Sequence, residues 1–414
     1  MQWLNRAMLR LLIENTLDRE EKIMAEWQKI RLGEIVKTNQ STYSPKENWQ
    51  FVNYLDTGNI TVNKINEIQY IDSAKDKLPS RARRKVKTNS IIYSTVRPNQ
   101  LHYGIIKEQP DNFLVSTGFA VIDVDCDKAV PDFIYYALTK QDVTEQLQAI
   151  AEQSVSAYPS IKPSDIENLE FTLPDGKTQE RIVSILSTID EKIKENNAIN
   201  NNLEQQAKAL YKNWFFDFSP FSSDGNLPVG WRLGTIGDII QLHDSKRVPL
   251  SGAERDKMAK VYPYYGATSL MDYVDNYLFD GIYLLLGEDG TVVDSLGFPI
   301  LQYVYGQFWV NNHAHIITGK EGFSVEELYL FFSLTNIKSI VTGAVQQKVS
   351  QQNLKKVPAI IPSKEALSAF DEIIQPIFAQ IRNLRDENAN LARLRDTLLP
   401  KLMSGELDVS DIDL

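Results

Sequence analysis

Two long stretches of this chain carry the same heptad stripe of apolar side chains, and the second begins 188 positions after the first. The first stripe consists of Ile182, Leu186, Ile189, Ile193, Asn196, Asn200, Leu203, Ala207, Leu210 and Trp214. The second stripe consists of Phe370, Ile374, Ile377, Ile381, Leu384, Asn388, Leu391, Arg395, Leu398 and Leu402. Because steps of four and three residues alternate throughout, each stretch predicts a coiled-coil helix of about five heptads. We expect the two helices of this chain to pair with each other.

The similarity between the two halves extends upstream of these helices. The segment that opens Trp27-Gln-Lys-Ile-Arg-Leu-Gly-Glu-Ile is similar to the one that opens Trp231-Arg-Leu-Gly-Thr-Ile-Gly-Asp-Ile. Residues 161–174 also match residues 349–362 at the same offset of 188. The repeated unit is therefore a globular domain followed by a long helix. Two copies make a duplication rather than a solenoid, which needs three or more repeats.

The predicted fold class is α+β, with two similar α/β domains that are each followed by a long helix. A short turn-rich linker, residues 219–230, leads from the first helix directly into the second domain. The second helix must then run back antiparallel to bury its stripe, which predicts an antiparallel coiled coil and a dumbbell with an approximate two-fold axis. The predicted segments are an extension (1–23), domain 1 (24–177), helix 1 (178–218), domain 2 (219–363), helix 2 (364–407) and a tail (408–414).

Asparagines interrupt both stripes. Full antiparallel overlap places Asn196 opposite Asn388 and Asn200 opposite Leu384. A buried asparagine pair penalises sliding, because a shift of one heptad leaves each amide facing a hydrophobic side chain without a hydrogen-bond partner. We predict that this pair fixes the register of the two helices.

Composition limits the class of protein. With 414 residues and 43% apolar residues, the chain can build two domains that each bury a core. The single cysteine, Cys126, excludes an intramolecular disulfide and a cysteine-based zinc site. No segment reaches the ~18 uninterrupted apolar residues of a membrane span, so we expect a cytoplasmic protein. Residues 1–23 predict a short amphipathic helix outside the repeat, and Met24 is an alternative start.

The sequence shows little catalytic chemistry. It lacks a glycine-rich loop ending in Gly-Lys-Ser/Thr and the Asn-Pro-Pro-aromatic signature of amino-methyltransferases, which assigns ATP hydrolysis and methyl transfer to other proteins. Asp175 after Pro174, with Asp190 and Lys192, formally matches a nuclease pattern. The predicted helix separates these carboxylates, whereas a metal-dependent nuclease brings them to one cation.

Two further motifs favour structural interpretations. His313 and His315 can in principle bind a metal from one strand face, but no carboxylate lies close in sequence, which favours a hydrogen-bonding role. The Gly287-Glu-Asp-Gly290 motif lies between the apolar runs 283–286 and 291–293 and predicts a hairpin turn. We therefore predict no metal site.

Local basic patches predict DNA contact despite a net charge of -10. Residues 79–100 carry six basic residues without an acid and end in the planar side chains of Arg97, Asn99 and Gln100. Arginine, asparagine and glutamine bind base edges bidentately, whereas clustered cations neutralise phosphates. Domain 2 has a more diluted basic group. The predicted DNA-binding residues are Arg81, Arg83, Arg84, Lys85, Lys87, Arg97, Asn99, Gln100, Lys246, Arg247, Tyr264, Tyr265, Thr268, Asn312 and His313.

The chain resembles the specificity subunits of type I restriction-modification systems from Trp27 to Leu407. Individually weak motifs carry the resemblance through their order: Leu78-Pro-Ser-Arg-Ala-Arg-Arg, Ser94-Thr-Val-Arg-Pro, Tyr262-Pro-Tyr-Tyr-Gly-Ala-Thr, Gly287-Glu-Asp-Gly, Phe308-Trp-Val-Asn-Asn-His-Ala-His and Leu398-Leu-Pro-Lys-Leu-Met-Ser-Gly-Glu-Leu. The extension at residues 1–23 departs from the family pattern.

The resemblance implies two target-recognition domains that each read one half of a split site in double-stranded DNA, with the helices as a ruler for the unread spacer. About 36 helical residues span roughly 54 Å, the length of about 16 base pairs. It also implies two methyltransferase subunits that bind S-adenosylmethionine and two restriction/translocase subunits that use ATP and Mg2+. The specificity subunit itself is then non-catalytic and binds no cofactor directly.

Two other classes of function stay open. In a catalytic reading the chain is itself a nuclease or methyltransferase, which requires a metal cluster or a cofactor loop. Under the alternative hypothesis of a scaffold protein, the coiled coil still forms but the basic patches are only solvated surface. The chain then does not bind DNA even with its partners. Assays of purified chain, with and without partners, discriminate these readings.

Overall fold

The computed structural model describes residues 27–154, 158–343 and 346–410. It divides into two compact units. Unit 1 contains the described residues up to Ile193 and from Ala389 onwards, and unit 2 is Lys194–Asn388. The amphipathic helix predicted within residues 1–23 lies outside the described residues. No helix in the described part has the length and apolar character required to span a membrane.

Unit 1 combines two four-stranded sheets and two two-stranded sheets with three short helices and one long helix. Its strands are β1 (Gln28–Arg31), β2 (Val36–Thr38), β3 (Phe51–Leu55), β4 (Ile60–Thr61), β5 (Lys64–Ile65), β6 (Gln69–Asp72), β7 (Ala82–Lys85), β8 (Ile91–Ser94), β9 (Tyr103–Ile105), β10 (Phe113–Ser116), β11 (Phe119–Val124) and β12 (Glu170–Leu173). Its helices are α1 (Pro131–Leu138), α2 (Gln141–Glu152), α3 (Pro163–Glu167) and the first long helix, α4 (Gly176–Phe215), which continues into unit 2. The strand orders are β2-β11-β8-β9 and β6-β3-β10-β7, and β1 pairs with β12 and β4 with β5.

The central strands of unit 1 are buried on both faces. Along β8, Ile91 and Tyr93 belong to the core that includes the long helices, whereas Ile92 belongs to a second core. Alternate residues of a strand point to opposite faces, so one apolar run serves two cores. The strand β8 therefore lies inside a sheet that is covered on both sides.

Unit 2 has one six-stranded main sheet where unit 1 has two four-stranded sheets. Its strands are β13 (Arg232–Thr235), β14 (Ile240–Leu242), β15 (Tyr262–Tyr265), β16 (Leu270–Val274), β17 (Phe279–Gly287), β18 (Leu301–Val310), β19 (Ala314–Gly319) and β20 (Pro358–Ile361). Its helices are α5 (Ile236–Ile239), α6 (Gly252–Arg255), α7 (Val325–Leu334), α8 (Gln351–Lys355) and the second long helix, α9 (Lys364–Ser404), which ends in unit 1. The main sheet has the order β14-β19-β17-β18-β15-β16, and β13 pairs with β20.

The strand registers confirm the duplication. In unit 1, Gln28 of β1 lies opposite Leu173 of β12, and in unit 2 Arg232 of β13 lies opposite Ile361 of β20. The strands β12 and β20 start 188 positions apart, as do the long helices α4 and α9. In contrast, β1 and β13 start 204 positions apart, so the intervening segment is 16 residues shorter in unit 2. The frame is therefore shared, and the connections between its strands differ.

The long helices pack together in both units. In unit 1, Leu186 near the start of α4 shares a core with Leu402 near the end of α9. Asp190 also accepts a hydrogen bond at 2.8 Å from Arg395, the one charged residue of the two stripes. In unit 2, the rings of Trp214 and Phe370 lie 5.3 Å apart. These pairings agree with the predicted antiparallel course.

The asparagine register is confirmed within unit 2. The Asn196 side chain is fully buried and donates a hydrogen bond of 2.9 Å to the side-chain oxygen of Asn388. Asn196 also donates to Glu387 at 3.0 Å, and Asn388 donates to Asn197 at 3.0 Å. A heptad shift would break every one of these bonds inside a largely apolar seam, so this polar layer selects one register.

The hairpin predicted for the Gly287-Glu-Asp-Gly290 motif is wrong. The strand β17 ends at Gly287, and its antiparallel neighbour β18 begins only at Leu301. Leu286 pairs with Leu301, so residues 288–300 form the whole connection. The second apolar run, 291–293, is not a partner strand, because Val292 is buried and Val293 bridges to Pro299.

Candidate nucleic-acid interface

A backbone turn follows the central strand β8 and is tied to a distant loop. Thr95 accepts a hydrogen bond of 2.8 Å from the backbone of Ile161, and Val96 forms a bridge with Ser160. The backbone N–H of Arg97 donates to the carbonyl of Pro159 at 2.9 Å. Three successive residues are therefore fixed, and the turn holds the Arg97 backbone in a defined place.

Unit 2 builds the same turn after its central strand β17. Val349 donates to the carbonyl of Glu288 at 2.8 Å, and Asp289 bridges to Lys348. Gly290 donates to the carbonyl of Gln347 at 3.0 Å. The turn in unit 2 therefore corresponds residue by residue to the turn in unit 1, and Gly290 occupies the place of Arg97.

Backbone conformation explains why this correspondence matters. Gly290 has a φ of +89°, which costs glycine little, and Arg97 has a φ of +48°. A left-handed conformation costs a residue with a side chain about 1 kcal/mol or more. Unit 1 thus retains an arginine at a position where the same frame in unit 2 carries the unstrained residue. Such strain commonly marks functional residues.

The half-buried Arg97 side chain lies beside exposed residues. The guanidinium carbon is 5.1 Å from the ring centroid of Tyr158, which is 60% exposed. Asn99 and Gln100 are exposed in the 3-10 turn Pro98–Gln100 that follows. The backbone N–H of Asn99 donates to Gln148 at 3.2 Å. Stacking on tyrosine orients a guanidinium, and amides beside it can bind base edges.

The predicted basic run of unit 1 is only partly available to a ligand. Arg81 and Lys87 are exposed, whereas Arg83 is half-buried on strand β7. Lys85 forms an ion pair with Glu47 and Lys87 lies 3.8 Å from Asp123. The protein's own acids therefore occupy part of the predicted charge.

Arg84 differs from its neighbours because burial lowers the pKa of its guanidinium. Its Nε is buried and has no hydrogen-bond acceptor among the described residues. A buried hydrogen-bond donor without an acceptor costs free energy unless a ligand supplies the acceptor. A DNA phosphate oxygen is an acceptor of the required charge.

In unit 2, two predicted DNA-binding residues serve the interior instead. Arg247 Nη1 donates to Glu288 at 2.6 Å and to the carbonyl of Ala314 at 2.8 Å. Tyr264 is 1% exposed, and its hydroxyl accepts from the backbone of Leu250 at 3.0 Å. In this conformation neither side chain offers a surface to DNA. Both instead support the segments around them.

The remaining predicted residues of unit 2 lie at or near the surface. Lys246, Thr268 and Asn312 are exposed, and Tyr265 is half-buried. Its burial raises the pKa of Tyr265, so this hydroxyl stays neutral. His313 is also exposed, and its Nδ1 lies 2.6 Å from Asp289 in the shared turn. The structure thereby joins the predicted His313 to the turn that corresponds to the Arg97 turn.

His315 has a different environment and confirms the predicted hydrogen-bonding role. Its ring is fully buried, with Nδ1 at 2.6 Å from Asp244 and Nε2 at 2.8 Å from the carbonyl of Val349. Both ring nitrogens therefore lie within hydrogen-bond distance of an oxygen. Sequence reasoning missed Asp244 because 71 positions separate it from His315.

Asp244, Glu288 and His315 place three ligand-type atoms within 4.8 Å of one another. Burial alone would raise the pKa of Asp244, but hydrogen bonding and charge from His315, the backbone of Ile316 and Arg247 lower it below its usual value. Because hydrogen bonds and Arg247 already engage these atoms, the group is an ion-pair cluster. It anchors the shared turn of unit 2 to strand β19.

The formal nuclease pattern does not assemble. Asp175 caps the start of α4 by accepting from the backbone of Lys177 at 2.9 Å. Asp190 accepts from the hydroxyl of Tyr136 at 2.7 Å and lies 15 residues further along the same helix, about 22 Å away. These carboxylates cannot bind one cation together.

Comparison with known proteins agrees with the duplicated frame. A family model described as the type I restriction modification DNA specificity domain matches residues 24–205 and 228–393. The HindI specificity subunit of Haemophilus influenzae is 26% identical and aligns over 93% of this chain and 100% of its own length. The MjaIX specificity subunit of Methanocaldococcus jannaschii is 26% identical over 69% of this chain and 71% of its own.

Among solved structures, a type I restriction-modification S subunit from M. genitalium has 17% identity and a TM-score of 0.49, covering 91% of this chain and 96% of that one. The two segments matched by the family model each contain one domain and most of the helix that follows it. Together they account for most of the 414 residues. The chain therefore belongs to the family of type I restriction-modification DNA specificity subunits.

Proposed function

We propose that this chain selects the DNA sequence on which a type I restriction-modification complex acts, with each unit reading one part of a two-part site in double-stranded DNA. One observation carries this proposal. The two units share the same turn at the end of a central strand, yet present different side chains there. Unit 1 presents Arg97 on Tyr158, and unit 2 presents Gly290 with His313 on Asp289. A shared backbone turn that carries different side chains in the two units is suited to recognition of two different DNA sequences.

The chemistry of unit 1 favours base reading combined with phosphate contact. Arg97 has donors in a planar fork, which matches the two acceptors of guanine in the major groove. Its stacking on Tyr158 and its fixed backbone reduce the entropy lost on binding. Arg81, Arg83 and Arg84 supply positive charge nearby in sequence, which positions DNA without selecting bases.

The register of the two long helices is proposed to set the permitted gap between the two half-sites. The hydrogen bond between the buried Asn196 and the half-buried Asn388 supports this role, since it opposes sliding of α4 along α9 within unit 2. An arrangement selected for stability alone favours an apolar seam, because a buried amide pair contributes less than packed leucines.

We propose a non-catalytic role for this chain within a larger cytoplasmic assembly. The one described cluster of metal-type ligands is engaged by hydrogen bonds and Arg247. We assign methyl transfer from S-adenosylmethionine to two methyltransferase subunits, and DNA cleavage with ATP and Mg2+ to two restriction subunits. Restriction enzyme specificity subunits among the relatives support this division.

A methyl-transfer assay tests the division of labour. The purified chain, a cognate methyltransferase subunit and the mixture are each incubated with labelled S-adenosylmethionine and DNA. We expect transfer to defined adenines only in the mixture. Transfer by the chain alone, in a preparation free of partner subunits, contradicts the proposal, and so does a mixture that methylates all sequences equally.

A further inference from the structure

Met271 of unit 2 is an exposed apolar side chain in an unusual backbone position. Strands β15 and β16 pair with Tyr264 opposite Asp272 and Tyr265 opposite Leu270. Met271 is therefore the extra residue of a β-bulge. Bulges redirect a side chain and occur frequently beside functional sites, which makes this residue a candidate for recognition.

Two neighbours hold the Met271 side chain in place. A Cβ atom on Gly266 would lie only 2.4 Å from the Met271 sulfur, so the thioether lies flat on this glycine. The buried side chain of Asn311 donates to the same sulfur at 3.3 Å. Its oxygen accepts from the backbone of His313 at 2.8 Å. Asn311 thus links Met271 to the exposed turn that contains Asn312 and His313.

Met271 nevertheless remains open to solvent. Its side chain is 54% exposed, and the adjacent Leu270 is 41% exposed. Leaving such apolar area in water is unfavourable unless a partner covers it. A methionine that is packed against the protein on one side and exposed to solvent on the other is suited to contact a small apolar group.

The carboxylate next to Met271 in sequence is paired with two cations. Asp272 pairs with Arg255 at 3.0 Å and with Lys260 at 2.9 Å. Salt bridges satisfy both cations, so they contribute less to phosphate binding than free cations. This part of unit 2 is therefore suited to contact a base rather than the DNA backbone.

We propose that Met271 is a specificity-determining residue of unit 2 that recognises the 5-methyl group of a thymine in the major groove. This inference rests on the proposed function. Among the four bases, thymine alone presents a methyl group in that groove. The exposed Thr268, Asn312 and His313 flank Met271 and can bind polar edges of the same or adjacent base pairs.

Deoxyuridine provides the test, because it differs from thymidine only by the missing methyl group. The two-part motif is first identified from the adenines methylated by the assembled complex. Loss of Arg97 identifies the half-site of unit 1, so the other half belongs to unit 2. Each thymine of that half is then replaced by deoxyuridine, and competition against the unmodified duplex measures the relative methylation efficiency.

We expect one replacement to lower the efficiency of the wild-type complex about fourfold, the value of one buried methyl group. Met271→Gln should reduce this deoxyuridine effect to less than 1.5-fold, because a polar chain gains little from the methyl. Gly266→Ala should act similarly, since the added methyl displaces the thioether while Met271 is retained. Leu296→Gln removes another apolar side chain, 71% exposed, and should leave the effect unchanged.

The outcomes separate this inference from the proposed function. Absence of any two-part motif contradicts the proposed function and the inference with it. A two-part motif whose second half contains no thymine, or shows no deoxyuridine effect, overturns the inference alone. An effect that persists in both Met271→Gln and Gly266→Ala also overturns it, because the methyl is then read by another residue. Thermal denaturation of each variant verifies that unit 2 remains folded.

Discussion

Arg97 allows stability and recognition to be separated in one residue. Its left-handed backbone costs about 1–2 kcal/mol, and its stacking on the partly exposed Tyr158 returns about 0.5–1 kcal/mol. Arg97→Ala loses the stacking and keeps the strain, so the free energy of unfolding should fall by about 0.5–1 kcal/mol. Arg97→Gly loses the same stacking but relieves the strain.

Glycine also gains entropy in the unfolded chain, which offsets about 0.4–1 kcal/mol of that relief. Arg97→Gly should therefore be about as stable as the wild type and more stable than Arg97→Ala by roughly 0.5–1 kcal/mol. Both variants should bind one half-site more weakly by about 1–3 kcal/mol, because both lose the guanidinium.

Urea denaturation measures the first effect, and fluorescence anisotropy of the assembled methyltransferase on matched and mismatched duplexes measures the second. The expected pattern is unequal stability with equal loss of recognition. Equal weakening on all duplexes would identify Arg97 as a phosphate contact and refute base reading. If Arg97→Gly bound the half-site with full affinity, the strained Arg97 backbone would have no role in DNA recognition.

Three further predictions address charge and packing. Burial raises the pKa of Glu327 to about 8, so the folded state favours the neutral acid. The stability that this group contributes is fully present below about pH 4.5 and is lost as pH rises towards 8. Glu327→Gln should remove this loss, which is at most about 5 kcal/mol and is measured by urea denaturation at pH 5 and 8. Parallel pH profiles for the two proteins would contradict it. Replacing Asn196 and Asn388 together by leucine should raise the melting temperature by a few degrees and broaden the half-site gaps that are methylated, whereas an unchanged gap preference would disconnect the register from the spacer. Replacing Arg83 and Arg84 by alanine should weaken all duplexes alike and reduce the slope of log affinity against log salt by about 2; a loss confined to one sequence would assign them to bases.

The helical frame could be predicted from sequence because its determinants are regular. A heptad repeat fixes which face of each helix is buried, and two asparagines in otherwise apolar stripes define one register. That pattern, together with full antiparallel overlap of the stripes, predicts the pairing of Asn196 with Asn388 that the structure shows. The repeated segments 161–174 and 349–362 likewise led to strands β12 and β20 at equivalent places.

The site could be predicted only in part because its determinants are non-local. Arg97 and Gly290 occupy equivalent places in the turns of the two units but lie 193 positions apart, and the repeat offset is 188 at the helices, so a constant offset does not align them. His315 meets Asp244 across 71 positions, which no local pattern reveals. The sequence motif around Tyr264 predicted a DNA contact at the surface. Tyr264 is instead buried, which depends on strand pairing between β15 and β18.

The central claim is that one chain directs modification to a site with two separately read parts. Single-molecule sequencing of methylated adenines tests it most directly, in a host carrying the wild-type chain, the Arg97→Ala variant or a deletion of the chain. We predict one two-part motif with a fixed gap in the wild type, its disappearance in the deletion, and relaxed selection in one half only in the variant. A motif that survives the deletion, or that Arg97→Ala relaxes equally in both halves, contradicts the account.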